Sequence, residues 1–167
     1  LGAEAVWWDP YVPETAETDE IGAGRRDLDA LLTTSHFVMV ALRLSEDTQH
    51  LVNVETLGRM RPDACLINPS RGSVVDEAAV GDALEAGRLA GYAADAFEME
   101  DWARPDRPAT IDPRLRNMPE KTVFTPHLGS AIGDVRADIA LRAADNLLDV
   151  LVHGQVPRDA VNRPDTM

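Results

Sequence analysis

The side chains able to carry chemistry gather at the ends of apolar runs. Asp9 closes AVWWD, Arg43 follows HFVMVAL, Asn68 closes ACLIN just ahead of Arg71, Asp95 sits in GYAADAF just ahead of Glu100, and His127 follows KTVFT. Arg71, between Ser70 and Gly72, presents a planar fork of donors suited to a small oxyanion. The plainer reading is a loop arginine in solvent or capping a neighbour. His127, in FTPHLGS, is the side chain whose charge changes near neutral pH. A carboxylate beside it would hold one ring tautomer and leave the other nitrogen to move a proton. Glu100 and Glu98 both compete for that place, and a purely structural histidine is the alternative. Asp95, read as buried in an apolar strand, needs a designated partner, because an unpaired buried carboxylate is costly.

These residues need elements to hold them. The apolar runs 5–9, 36–42, 64–68, 91–97 and 121–125 read as strands, and 27–35, 53–60 and 76–86 between them read as helices. Asp76 stands at the start of the third helix and Gly87 at its end. A longer helix over about 132–152 places Ile139, Ala143, Leu147 and Leu151 at helical spacing, and the preceding segment suggests a start near Ser130. Strands alternating with helices indicate an α/β fold with a parallel sheet, in which ligands bind at the carboxyl ends of the strands. Segment 101–119 carries four prolines (105, 108, 113 and 119), follows directly on a strand end and is expected to be a long loop that covers something. Asp9 has two readings: an Asp-Pro turn, or an acid accepting from the ribose hydroxyls of a dinucleotide. Gly22-Ala23-Gly24-Arg25-Arg26-Asp27 begins like a phosphate-binding glycine turn. With Asp in the sixth place and no strand foreseen before it, it reads as a loop.

The 167 residues suffice for one ordinary domain. A net charge of −13 disfavours a general nucleic-acid or anionic-membrane surface, so an anion must be bound locally. Cys65 is the one cysteine, which excludes an intrachain disulfide and a cysteine metal cluster, and no metal site is expected. No leader or membrane-spanning stretch is read, and a cytoplasmic location is expected.

The blocks NPSRGSVVDE, GYAADAFEMED and FTPHLGSA resemble the C-terminal signature blocks of the D-2-hydroxyacid dehydrogenase family. The resemblance implies a doubly wound, Rossmann-like parallel sheet and an NAD cofactor. It implies that Arg71 binds and polarises a small anionic substrate, that His127 is the acid/base and that Glu100 pairs with it. Asp9 would hold the adenosine ribose, Asp95 would meet the nicotinamide carboxamide, and Ala41, Leu42, Arg43, Pro69, Gly129 and Ser130 would line the cofactor. The segment MEDWARPDRP, Arg136 and AVNR near the end further resemble the branch of the family that oxidises phosphite to phosphate. There Arg136 would help Arg71 hold the substrate. Where the family usually places proline after the glutamate, this chain has Asp101. Arg43 likewise replaces a usual proline, which bears on adenosine packing and on the choice between NAD and NADP.

The same resemblance aligns Leu1-Gly2-Ala3 with the end of the first Rossmann helix. The first strand and its glycine-rich turn would then be absent, leaving an incomplete sheet with a gap between AVWWD and ACLIN. Residues 1–130 are expected to be a partial dinucleotide-binding domain, and 131–167 a helix and tail returning toward a substrate domain. The chain alone is expected to bind NAD weakly and to be inactive, and the complete protein to be a homodimeric enzyme. Two other readings stand: a dehydrogenase of a small 2-hydroxy or 2-keto acid, and a non-catalytic NAD-binding corepressor-like protein.

Overall fold

The computed structural model describes residues 2–12 and 22–160. They fall into two compact units, Leu1–Pro126 and His127–Met167. In the first, β1 (Val6–Trp7) pairs in parallel with β2 (Gly24–Arg25). A second sheet runs in the order β3 (Phe37–Met39), β4 (Cys65–Asn68), β5 (Gly91–Ala94), β6 (Thr122–Phe124), every pair parallel. The crossovers between its strands carry α2 (Val54–Arg59), α3 (Glu77–Glu85) and α4 (Pro113–Arg116), while α1 (Leu28–Thr34) leads into β3. Parallel strands joined in sequence order by crossovers bring all their carboxyl ends to one edge. That edge of the four-stranded sheet carries Asn68 at the end of β4 with Arg71 after it, and Asp95 with Glu100 after β5.

Each short helix starts where a side chain satisfies its first amides. Asp27 accepts from Ala30 N at 2.7 Å, Asn53 from Glu55 N and Thr56 N at 2.9 and 3.2 Å, Asp76 from Ala79 N at 3.0 Å, and Asp112 from Arg114 N at 2.9 Å. Gly87, at φ +66°, turns the chain out of α3 toward β5. The core lies around β4 and β5: Leu66, Val74, Val75, Val80, Leu84, Leu89, Tyr92 and Leu115 are fully buried. Phe97 and Phe124 meet edge to face at 5.2 Å, joining the ends of β5 and β6. Among the described residues no helix is long and apolar enough to cross a membrane.

Several expectations are corrected. The strands are shorter than the apolar runs, so Asp95 lies just beyond β5 and is half-buried rather than embedded in a strand. The segment Gly22–Asp27 is not simply a loop, since Gly24 N donates to Ala5 O and the pair Gly24–Arg25 forms β2. A parallel partner can recruit any extended pair whose amides align, whatever its propensity. ACLIN is flanked by β3 and β5, so the strand facing the open side is β3, and the gap lies between AVWWD and FVM. There β1, α1 and β3 line a largely apolar cleft of about 1190 Å³, and Phe37 and Met39 stay 71% and 64% exposed.

In the second unit a turn closed by Ala131 N to Leu128 O precedes α5 (Gly133–Leu151). With Ile132 and Val152 as its cap residues the helix has the bounds expected over about 132–152, so its start is later than Ser130.

Candidate active site

The loop after β4 is built around Asn68, which is fully buried. Its Oδ1 accepts from Ser70 N at 3.1 Å and Ser70 Oγ at 2.8 Å, and its Nδ2 donates to Arg71 O at 3.0 Å. A side-chain amide that bonds both limbs of a turn fixes the turn's shape. Arg71 is thus presented at the exposed rim, with Nη1 donating to Ser70 O at 2.8 Å and the rest of its fork directed outward. The chain then enters a 3₁₀ turn, Gly72–Val74.

A second 3₁₀ turn, Glu98–Glu100, follows β5 and packs against the first. Gly72 makes this approach possible: a Cβ there would lie 1.9 Å from Phe97 C and 2.1 Å from Glu98 N, so no other residue fits without moving backbone. Glu100 Oε1 accepts from Phe97 N at 3.1 Å, which holds the carboxylate over its own turn. Asp101 Oδ2 accepts from Ser73 N at 2.7 Å, tying the two turns together. The residue that replaces the family's usual proline is therefore a tie between the Arg71 loop and the Glu100 loop. Asp95 N donates to Asn68 O at 3.0 Å, and the Asp95 carboxylate accepts from the Thr125 hydroxyl. That supplies the partner it was expected to have.

Glu98, expected to compete with Glu100 for a histidine at the rim, turns the other way. It is buried, with Oε1 accepting from Glu77 N at 2.8 Å and Oε2 paired with His50 Nε2 at 3.0 Å. Glu77 returns the bond, its Oε1 accepting from Glu98 N at 2.9 Å. Glu77 Oε2 is buried with no hydrogen-bond partner among the described residues. Burial accordingly pushes the Glu77 carboxyl up to about 7; the Glu98 amide works against the rise and the Glu98 carboxylate adds to it.

Segment 101–119, expected as a long loop, carries α4 (Pro113–Arg116) and is tied to its surroundings by side-chain bonds. Arg104 reaches back to Glu98 (3.8 Å) and His50 (3.5 Å), and Arg107 Nε donates to Met99 O at 3.1 Å while its guanidinium stacks 4.2 Å from the Trp102 ring centre.

On the open side, Asp9 Oδ1 accepts from Tyr11 N at 2.7 Å and Val12 N at 3.0 Å, which is the Asp-Pro turn of the plainer reading. Those bonds leave Oδ2 as an acceptor at the mouth of the cleft, which Ala41 and Leu42 also line. Arg43 is exposed, its carbonyl taking the Thr48 hydroxyl at 2.7 Å, and Pro69 is exposed at the head of the Arg71 loop. An acidic acceptor beside apolar walls fits the adenosine half of a dinucleotide.

In the second unit, His127 has φ +54°, and among the described residues only His50 (φ +49°) joins it as a non-glycine in the left-handed region. Such backbone costs on the order of 1 kcal/mol and persists where surrounding structure demands it. Gly129 and Ser130 lie in the turn before α5, and Arg136 is on its first turns, with N donating to Ile132 O at 3.0 Å. Of the AVNR motif only Ala160 is among the described residues.

A parallel sheet whose strand ends carry acids, an exposed arginine and tightly turned loops is the arrangement of a dinucleotide-binding domain. The model of the D-isomer specific 2-hydroxyacid dehydrogenase NAD-binding domain matches residues 1–129. Glyoxylate/hydroxypyruvate reductase B of Pectobacterium carotovorum is 41% identical over 136 residues, 81% of this chain and 40% of that protein. The holo form of D-mandelate dehydrogenase from Rhodotorula graminis superposes with a TM-score of 0.83 at 27% identity, over 98% of this chain and 46% of that one. An NAD-complexed D-isomer specific 2-hydroxyacid dehydrogenase from Lactobacillus delbrueckii ssp. bulgaricus does so with a TM-score of 0.76 at 26% identity, over 96% and 49%. The chain belongs to the D-isomer specific 2-hydroxyacid dehydrogenase family, and its matched residues are that family's NAD-binding domain. It spans less than half the length of each of these relatives.

Sequence reasoning missed Glu77, His50 and the tie made by Asp101. Glu77 directly follows a helix cap, a place where glutamate is ordinarily solvated, so its burial left no mark in the sequence.

Proposed function

We propose that this chain is the cofactor-binding part of an NAD-dependent dehydrogenase that oxidises phosphite to phosphate, a phosphite dehydrogenase. The observation that carries a dehydrogenase of a small anion is the pairing of the Arg71 turn with the Glu100 turn at the ends of adjacent strands, brought together at Gly72. The phosphite branch is supported by Arg136 and by the MEDWARPDRP segment. NAD, when bound, takes up the hydride. Arg71 and Arg136 hold the anion and stabilise the charge that builds on its oxygens. As the P–H bond gives up its electron pair, a water oxygen bonds to phosphorus and His127 takes that water's proton, with Glu100 orienting the imidazole. Asp9 holds the adenosine ribose, where an acid repels a 2′-phosphate and so favours NAD. Asp95 accepts from the carboxamide, and Ala41, Leu42, Arg43, Pro69, Gly129 and Ser130 line the cofactor. The complete protein is a cytoplasmic homodimer.

The likeness to glyoxylate/hydroxypyruvate reductase B favours a second reading, in which Arg71 clamps a substrate carboxylate and His127 exchanges a proton with the 2-oxygen. Initial rates of NADH formation by the full-length protein decide between them, with phosphite and D-glycerate as rivals. Phosphite is expected to show the higher kcat/KM. Faster D-glycerate turnover would replace the first reading by the second, and turnover of neither, together with NAD-dependent capture of a protein partner, would favour a corepressor-like role.

A further inference from the structure

We infer that Glu98 is a positioning residue for the proposed reaction, setting Glu100 and the Arg71 loop from behind through His50, Arg104 and Glu77. The inference rests on the dehydrogenase reading above. Glu98 opens the 3₁₀ turn that ends in Glu100, so the place of its buried carboxylate determines where the turn sits. Three elements hold that carboxylate. The first amide of α3 donates to Oε1 (Glu77 N, 2.8 Å), the His50 ring meets Oε2 at 3.0 Å, and Arg104 approaches Oε2 at 3.8 Å.

Each element has a reason to stay in place. His50 is fixed by its own amide, which donates to Ser73 O at 2.8 Å within the Arg71-bearing turn, and its backbone sits at φ +49°. Arg104 is only 12% exposed and is held from the other side by Asp106 at 3.0 Å. Glu77 closes the circuit by accepting from Glu98 N, so the start of α3 and the Glu100 turn cannot part without breaking two buried bonds. Neutral glutamine at 98 would keep the shape and lose the charge that His50 and Arg104 face. The turn would then be free to shift by a fraction of an ångström, and catalysis is sensitive to displacements of that size. Arg104 belongs to the same DWARPDRP stretch that carries the substrate assignment. That stretch thus acts on the Glu100 turn through a buried carboxylate.

The test is a double-mutant cycle on the full-length enzyme with the anion it turns over. Glu98→Gln is expected to lower kcat about 10- to 100-fold and to move KM for the anion and the NADH dissociation constant less than about threefold. In a Glu100→Gln background the same change should cost less than about threefold, because the group being positioned is already gone. Arg104→Met, which leaves both buried amide bonds intact, should lower kcat about 3- to 10-fold with the same dependence on Glu100. It carries the test if Glu98→Gln fails to fold. An unchanged kcat, or equal losses in both backgrounds, would overturn the inference and leave the dehydrogenase reading standing. A wild-type enzyme that turns over no anion would end both, and would be seen before any variant is compared.

Discussion

The two sides of the first unit make an instructive contrast. Around β4 and β5 every strand edge is paired, the core side chains are fully buried and the two rim turns touch backbone to backbone. Around β1 and β3 the strands do not pair with each other, and a cleft of about 1190 Å³ separates them, lined by Trp7, Phe37 and Met39 among others. The same kind of sequence, a short apolar run closed by a polar residue, produced both. A strand is therefore built by its neighbours more than by its own residues. Arg71 and Glu100, the proposed substrate-binding and histidine-orienting groups, lie on the packed side, and Asp9, the proposed adenosine contact, on the open one. Chemistry needs positions held to fractions of an ångström, while holding an adenosine needs an acceptor and apolar walls.

The contrast is tested most strongly by substitutions of like size on the two sides. Leu66→Ala, in the centre of β4, is expected to lose about 2–5 kcal/mol in urea unfolding, whereas Met39→Ala on the exposed edge strand stays within about 0.5 kcal/mol. Gly72→Ala is expected to lose about 3 kcal/mol, because its Cβ meets backbone. Gly24→Ala in β2 meets only the flexible end of Arg26 and should change stability by less than about 0.5 kcal/mol. Equal losses within either pair would break the contrast.

A finer effect comes from Glu77. Its folded pKa of about 7 lies above the ordinary glutamate value, so between the two the folded chain binds more protons than the unfolded one. Stability is thus expected to fall as pH rises from about 4.5 to 7 and to level off above, by on the order of 2 kcal/mol. Glu77→Gln should flatten that part of the profile, read from urea midpoints at successive pH values. Smallest is Gly58→Ala: with nothing within 4 Å of the added methyl in α2, it should stabilise by about 0.5–1 kcal/mol.

The strands and helices were legible because their signals are local. Apolar runs, the acidic start at Asp76 and the stop at Gly87 each act within a few residues. Arg71, Asp95 and Glu100 were legible as residues that follow strands. The pairing of Gly24–Arg25 with β1 was not, since it depends on two backbones meeting. Nor was the inward turn of Glu98, which was read as a rim carboxylate. Its direction is decided by His50 and Glu77, far away in sequence, and no period or spacing within GYAADAFEMED encodes that. Asp101 was seen as a departure from the family pattern, but its bond to Ser73 N needs the two turns already packed at Gly72.

The most direct check on the central claim is the KM of the full-length Arg71→Ala variant for its anionic substrate, set beside its KM for NAD. Loss of a guanidinium that grips the anion predicts a rise of about 100-fold for the anion and less than about threefold for NAD. An anion KM that stays at the wild-type value would place substrate binding elsewhere.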